Sequence, residues 1–297
     1  MRALVTGASG FVGGYLSAHL RGCGDEVVAL TDSVDLGDPA GAVAFEEQLT
    51  AVAPDVIYHL AALTHVGRSW EDPASTMRVN AMGTLSVLEA ARTQVNPPRV
   101  MLISSSEVYG AGEGRPIRED DPLRPVTPYA ASKVSAEYLG LQAFLGRGLD
   151  VVRARPFNHI GPGQADIFVV SALARRIVEA ERSGGGAIAV GNLAAARDFT
   201  DVRDVVRAYR LLATSGAAGE VYNVCSGVAR QVEELFKILI GHSRVALEPR
   251  EDPELFRPVD VPMLVGDNSR LVDLVGWQPE IDLAQTLIAV LDYWRAR

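Results

Sequence analysis

Lysine is nearly missing from this 297-residue chain, which holds two, Lys133 and Lys237, against 26 arginines. Cysteine is as scarce. Cys23 and Cys225 stand alone with no C-x-x-C, so neither a disulfide framework nor a zinc site is indicated. The five histidines show no metal-ligand spacing. There is no excess of basic charge either: a net charge of −9 and a pI near 5.1 argue against a nucleic-acid surface. No apolar run approaches the ~18 residues of a membrane span, and a first strand beginning at residue 2 or 3 leaves no room for a signal peptide. These absences lead us to expect a cytoplasmic protein with no metal and with neither nucleic acid nor membrane as partner. With 48% hydrophobic and 22% charged residues the composition is that of a soluble globular protein, long enough for one large domain or two modest ones.

Against that scarcity, the position of one lysine is informative. Tyr129-Ala130-Ala131-Ser132-Lys133 reads as the first turns of a helix, with Thr127 as cap and Pro128 in the first turn, where proline is tolerated. Residues four apart share a helix face, so the phenol and the ammonium point the same way. With eight tyrosines and two lysines, such a spacing arises by chance roughly one time in twenty. An ammonium beside a phenol favours phenolate, so the expectation is a Tyr129 pKa drawn below its ordinary value and a proton donor or acceptor near neutral pH.

From the N-terminus, Ala3-Leu4-Val5 is a short apolar strand running into Thr6-Gly7-Ala8-Ser9-Gly10-Phe11-Val12-Gly13, where Gly7, Gly10 and Gly13 form G-x-x-G-x-x-G. An amphipathic helix follows (Val12, Leu16, Leu20). Strand, glycine turn and helix N-terminus make a pyrophosphate cradle, because backbone N–H groups converge there and the helix dipole favours anions. A second strand, 27–31, ends at Asp32, which reads either as an acceptor for adenosine ribose hydroxyls or as a loop residue. The first reading, with no arginine close behind, leans towards NAD over NADP. Val34-Asp35-Leu36 reads as a stub of third strand lying over the adenine. Asp55 to Ala62 is a buried parallel strand ending in small residues, Leu60-Ala61-Ala62, where cofactors lie in doubly wound sheets. His59 within it reads as a core histidine. Thr64 to Pro73 reads as a loop, and the long helix after it carries Asn80, either at a bend with its amide on backbone or exposed. Strand 100–103 opens into Ser104-Ser105-Ser106-Glu107, whose hydroxyls would face the ligand crevice. After strand 151–155 the rhythm shifts to shorter strands and irregular connections.

Taken together, Gly7-x-x-Gly10-x-x-Gly13, His59-Leu60-Ala61-Ala62, Ser105 and Tyr129-x-x-x-Lys133 resemble the extended short-chain dehydrogenases/reductases, the nucleotide-sugar epimerase/dehydratase group. The resemblance spans essentially the whole chain. It implies an α/β fold, a Rossmann-type doubly wound parallel sheet with a smaller C-terminal α/β substrate-binding subdomain. The implied division is 1–158 plus 199–226 for the NAD(P)-binding part and 159–198 plus 227–297 for the nucleotide-sugar part. It makes Tyr129 the acid/base, has Lys133 hold the nicotinamide ribose and tune the tyrosine, and puts the reacting oxygen on Ser105. Phe11, Val12, Asp35, Leu36, Leu60, Ala61, Ala62 and Asn80 join the glycines and Asp32 around an NAD(P)H cofactor, with a lean to NADH.

The second half is more specific. Arg155-Pro156-Phe157-Asn158-His159-x-Gly161-Pro162-Gly163-Gln164, Gly191-Asn192-Leu193-x-Ala195-x-Arg197-Asp198-Phe199 and Arg257-Pro258-Val259-Asp260-Val261-Pro262 resemble the GDP-4-keto-6-deoxy-D-mannose reductases and the GDP-mannose 4,6-dehydratases. That resemblance sets Asn158 and Arg197 against a diphosphate, Arg257 and Asp260 around the guanosine, and Ser106 and Arg175 near the substrate. Guanidinium forks suit phosphate and a carboxylate suits ribose hydroxyls. Ser105, Tyr129 and Lys133 suffice to reduce a 4-keto sugar to GDP-D-rhamnose or its 4-epimer. Glu107 sits where the dehydratases carry a glutamate, so a dehydratase or a 4-epimerase stays open, as does a catalytically silent dinucleotide sensor. Excess apolar residues on the Asn80 and Tyr129 helices imply a homodimer.

Overall fold

The computed structural model describes residues 1–30, 34–112, 114–256 and 261–297. Its central element is a six-stranded parallel sheet whose strands lie in the order Glu26–Ala29, Arg2–Thr6, Val56–His59, Arg99–Ile103, Val151–Pro156 and Val221–Val224. Strand β1 (Arg2–Thr6) leads through the glycine turn into α1 (Phe11–Gly22), and β2 (Glu26–Ala29) and α2 (Pro39–Val52) follow. Val34 to Leu36 form no strand. Asp35 accepts from the Gly37 amide and ion-pairs with Arg78 at 2.8 Å, which turns the chain, and Asp38 then caps α2 by accepting from Ala40. After β3 (Val56–His59), the stretch read as a loop holds a short helix, α3 (Val66–Glu71). The long helix that follows is α4 (Pro73–Met77), a π-helical turn at Arg78–Met82, and α5 (Gly83–Thr93). Strand β4 (Arg99–Ile103), a 3₁₀ turn at Ser106–Tyr109, α6 (Pro128–Arg147) and β5 (Val151–Pro156) come next.

Alternation along the strands decides which helices cover each face. Leu4, Ile57, Val100, Leu102 and Val151 pack in a core with α2, α5 and α6 residues. Ala3, Val5, Tyr58, Met101, Ile103 and Val152 face the other way, into the core with α1 and, later in the chain, Val202 to Ala213. Each fully buried aliphatic side chain contributes about 1.5–3 kcal/mol.

From Pro156 the chain passes into β6 (Asn158–Ile160), α7 (Val169–Ser183), β7 (Gly186–Val190) and β8 (Ala196–Asp201). Helix α8 (Val202–Ser215) and β9 (Val221–Val224) return to the large sheet, and β10 (Ala229–Gln231), α9 (Val232–Gly241) and β11 (Leu247–Glu251) leave it again. Strand β12 (Met263–Leu264), α10 (Ser269–Val275) and α11 (Leu283–Arg295) complete the chain. Strand β8 pairs with β6, β10 and β12, and β7 pairs with β11. A second core joins Ile160, Val170, Ile177, Phe199, Leu235 and Leu287. Leu271 and Trp277, expected in the second unit, are instead buried in the α1/α8 core of the first. Among the described residues no helix is long and apolar enough to cross a membrane.

Candidate active site

A cavity of about 400 Å³ opens at the C-terminal end of the parallel strands, between the two cores. The glycine turn forms one wall. Gly7 has a φ of +69°, and a side chain at Gly13 would put Cβ 2.1 Å from the Gly7 carbonyl oxygen. Gly10 caps α1 without any side-chain hydrogen bond, so the helix N-terminus meets the cavity as bare backbone. That cradle fits a pyrophosphate. Gly7, Gly10, Phe11, Val12, Gly13, Leu60, Ala61 and Ala62 all line the cavity, as expected of cofactor residues.

Opposite the turn stand Ser105, Ser106, Glu107, Tyr129 and Lys133. Thr127 accepts from the Ala130 amide at 3.0 Å, so α6 starts where the sequence places it. The Ser105 hydroxyl caps the 3₁₀ turn by accepting from the Glu107 amide at 3.2 Å, and it hydrogen-bonds Tyr129. Burial pushes the Tyr129 phenol up to about 12, with Ser105 pulling it down and the Glu107 charge adding to the rise. This corrects the expected depression. The Lys133 ammonium donates to the Ile103 carbonyl at 2.9 Å, and burial lowers its own pKa to about 8. Sharing a helix face does not make the ammonium the dominant influence on the phenol once desolvation enters.

Asn80 does not line the cavity; it is buried behind it. Its amide accepts from the Leu63 N–H at 2.7 Å, donates to the Leu63 carbonyl at 3.0 Å, and donates to Ser132 on α6 at 2.9 Å. The π-helical turn is thereby fastened to the 60–64 loop and to the tyrosine helix. His59 is a core histidine. Thr84 donates its hydroxyl hydrogen to the Asn80 carbonyl, so it accepts from His59 Nε2, and Thr6 donates to Nδ1. Burial holds this imidazole at about 3, neutral at any working pH.

Of the expected substrate residues, Ser106 and Asn158 line the cavity. Arg175 does not: it lies on α7 and pairs with Asp166 at 3.0 Å. Arg197 is buried on β8 and donates to the Ala196 carbonyl at 2.8 Å, also off the cavity wall. Asp35 and Leu36 are likewise elsewhere, the first paired with Arg78 and the second packed in the α2/α5 core. Asp32, Arg257 and Asp260 lie outside the described residues.

The sequence reading gave no role to His159, Tyr15 or Tyr209. His159 stacks on Phe11 with rings 6.3 Å apart and 10° from parallel, which ties β6 to the glycine turn. Tyr15 on α1 reinforces that tie by donating to the Pro162 carbonyl at 2.8 Å. Tyr209, from the apolar stripe of α8, also reaches the cavity.

Beneath the site, Glu137 extends the Tyr129–Lys133 face of α6 by one more turn. It is fully buried and ion-paired with Arg155 and, at 3.4 Å, with Arg153. Arg155 in turn donates to the Tyr109 hydroxyl at 2.7 Å, so β5, α6 and the 3₁₀ turn carrying Glu107 are locked together.

A protein-family model described as GDP-mannose 4,6 dehydratase matches residues 4–289. The chain is 40% identical to the GDP-6-deoxy-D-mannose reductase of Pseudomonas aeruginosa, over 100% of this chain and 98% of that one. It is 33% identical to the UDP-glucose 4-epimerase of Mycolicibacterium smegmatis, over 99% of each. Among solved structures, RMD from Pseudomonas aeruginosa complexed with NADPH superposes with a TM-score of 0.90 at 39% identity, covering 100% of this chain and 99% of the other.

Proposed function

The chain belongs to the GDP-mannose 4,6-dehydratase family, and from that premise we propose that it reduces the 4-keto group of GDP-4-keto-6-deoxy-D-mannose to a GDP-6-deoxyhexose with NAD(P)H. The observation that carries this reading is the meeting of Ser105, Tyr129 and Lys133 across one cavity from a glycine cradle. The reduced nicotinamide, when bound, supplies the hydride. The protein's part is the proton. With its pKa near 12, Tyr129 is a phenol at neutral pH and can give its proton to the oxygen of the former ketone. Ser105, already hydrogen-bonded to Tyr129, holds that oxygen beside the donor. Lys133 supplies a positive charge against the phenolate left behind. Asn158 and Ser106 hold the sugar nucleotide, and Arg257 and Asp260 are assigned to its guanosine on family resemblance.

The test is the loss of reduced-nicotinamide absorbance on adding the keto sugar, run in parallel with NADH and NADPH. Stoichiometric loss supports a reductase, and the ratio of the two rates tests the lean to NADH drawn from Asp32. Glu107 on the cavity wall favours one alternative, a 4,6-dehydratase, in which a carboxylate removes the proton at sugar carbon 5. Conversion of GDP-mannose to a keto sugar without net cofactor use would replace the reductase reading with that one.

We also propose a homodimer. Trp70, Met77, Met82, Tyr138 and Leu145 are exposed apolar or aromatic side chains on α3, α4, the π-helical turn and α6. A monomer mass at every concentration in sedimentation equilibrium would refute it.

A further inference from the structure

Gln164 stands on the cavity wall outside the catalytic group, and it is 6% exposed. Its backbone is fixed on both sides. The N–H donates to the Gly161 carbonyl at 3.3 Å, and the carbonyl accepts from the Ser171 hydroxyl at 2.6 Å. Ser171 in turn accepts from the Trp294 indole on α11 at 2.9 Å. The side chain is held as well, because Nε2 donates to the His159 carbonyl at 2.9 Å. A carbonyl only accepts, so the nitrogen must face His159 and Oε1 must turn away from it. Oε1 accepts no hydrogen bond from any described residue, yet unlike the Tyr209 and Ser104 hydroxyls it is not sealed off from solvent. A nearly buried amide is thus oriented by the fold with its acceptor left open on the cavity wall.

Position and chemistry narrow what that acceptor meets. His159, whose carbonyl holds the amide, follows Asn158 in β6 and stacks on Phe11 of the glycine turn. Gln164 therefore lies where the cofactor cradle adjoins the Asn158 part of the wall, in the same cavity as Ser105 and Tyr129. The amide offers Oε1 as acceptor and one N–H not yet used, and a hydroxyl both donates and accepts. A phosphate brings acceptors alone, so Oε1 would repel it, and the glycine turn already supplies donors for one. The hexose is the hydroxyl-bearing group that the reduction places beside Tyr129. Its carbon 4 oxygen belongs to Ser105 and Tyr129, and its carbon 6 is deoxy, which leaves the hydroxyls at carbons 2 and 3.

We propose that the Gln164 carboxamide binds the 2,3-diol of the hexose while Ser105 and Tyr129 hold the oxygen at carbon 4. Holding the ring at a second point stops it from turning about the carbon 4 oxygen, and so fixes which of its faces meets the nicotinamide. This rests on the nucleotide-sugar reading above.

Calorimetric titration with GDP-D-rhamnose beside GDP tests it, with NADH and NADPH both present in excess. The two probes differ by the hexose alone, and that hexose carries no 6-hydroxyl. Gln164→Leu and Gln164→Ala remove the amide, the first filling its space and the second unable to overpack it. Each should weaken GDP-D-rhamnose about 3- to 15-fold and leave GDP within about twofold. Titration of the reduced dinucleotides alone should give affinities within about twofold of wild type, which shows the cavity intact. Unchanged GDP-D-rhamnose affinity in the variants overturns the proposal. An equal loss for GDP also overturns it, as does a loss confined to the dinucleotides. If the wild-type chain binds neither GDP nor GDP-D-rhamnose, the nucleotide-sugar reading itself falls and this proposal with it.

Discussion

Lys133 is 6% exposed, and its burial drops the ammonium pKa from 10.5 to about 8. Unfolding returns it to water and to the ordinary value. Between pH 8 and 10.5 the unfolded chain therefore binds more protons than the folded one, and stability contributed by this group must rise with pH across that window. Below pH 8 both states carry the charge, and the folded state bears its full desolvation cost. At ~1.4 kcal/mol per pH unit that cost is about 3 kcal/mol. Lys133→Met keeps the apolar stem and deletes the charge. The lost hydrogen bond to the Ile103 carbonyl shifts the variant's stability by an amount that does not depend on pH. Tyr129, raised from about 10 to about 12 on folding, is present in both proteins, so its own titration cancels from their difference. Urea unfolding of the ligand-free proteins, followed by far-UV circular dichroism at pH 7, 8, 9 and 10, gives two stability curves. Wild type should gain on the variant by about 2.5 kcal/mol from pH 7 to pH 10. Parallel curves would refute the reasoning, because they would mean that the ammonium is solvated in the folded state. The variant should also lose turnover, since the charge that costs stability is the one placed to support the Tyr129 phenolate.

Tyr129→Phe removes the proton donor and its bond to Ser105, so kcat should fall by about 10²- to 10⁴-fold while GDP-sugar affinity, measured by calorimetry, is kept; undiminished turnover would remove Tyr129 from the mechanism. Glu137→Ala leaves Arg153 and Arg155 buried without their shared carboxylate and should cost about 3–5 kcal/mol in urea unfolding. A cost under about 1 kcal/mol would show that water replaces the carboxylate. Gly13→Ala brings a Cβ to 2.1 Å from the Gly7 oxygen, so the turn must move and dinucleotide affinity should drop at least about tenfold. Unchanged affinity would place the pyrophosphate elsewhere.

Much of the frame was legible because it depends on near-neighbour chemistry. The glycine turn is readable from its spacing, since a left-handed Gly7 and a close-packed Gly13 tolerate no side chain. The α6 start is readable from Thr127 and Pro128, and the Tyr129–Lys133 face from helical geometry. The expected strand at 34–36 failed for the same kind of reason in reverse. Asp35 finds a local amide and a partner, Arg78, that is 43 residues away and invisible in sequence. Arg175 was placed near the substrate on resemblance, but it pairs with Asp166 at 3.0 Å.

Polar atoms in the interior divide from the apolar frame at this point. Helical periodicity assigns Asn80 and Tyr209 to faces but says nothing about what their polar atoms meet. Asn80 meets Leu63 and Ser132, from two other segments, and becomes a clamp. Among the described residues the Tyr209 hydroxyl is buried without a hydrogen-bond partner. The same distinction reverses the expected Tyr129 shift. Spacing gives the direction of the ammonium's effect, whereas depth of burial, set by the whole fold, decides whether that effect prevails. A polar atom on an apolar stripe is therefore where sequence reasoning leaves the most undecided. When the fold supplies its partner, as it does for Asn80, the polar atom becomes part of the architecture.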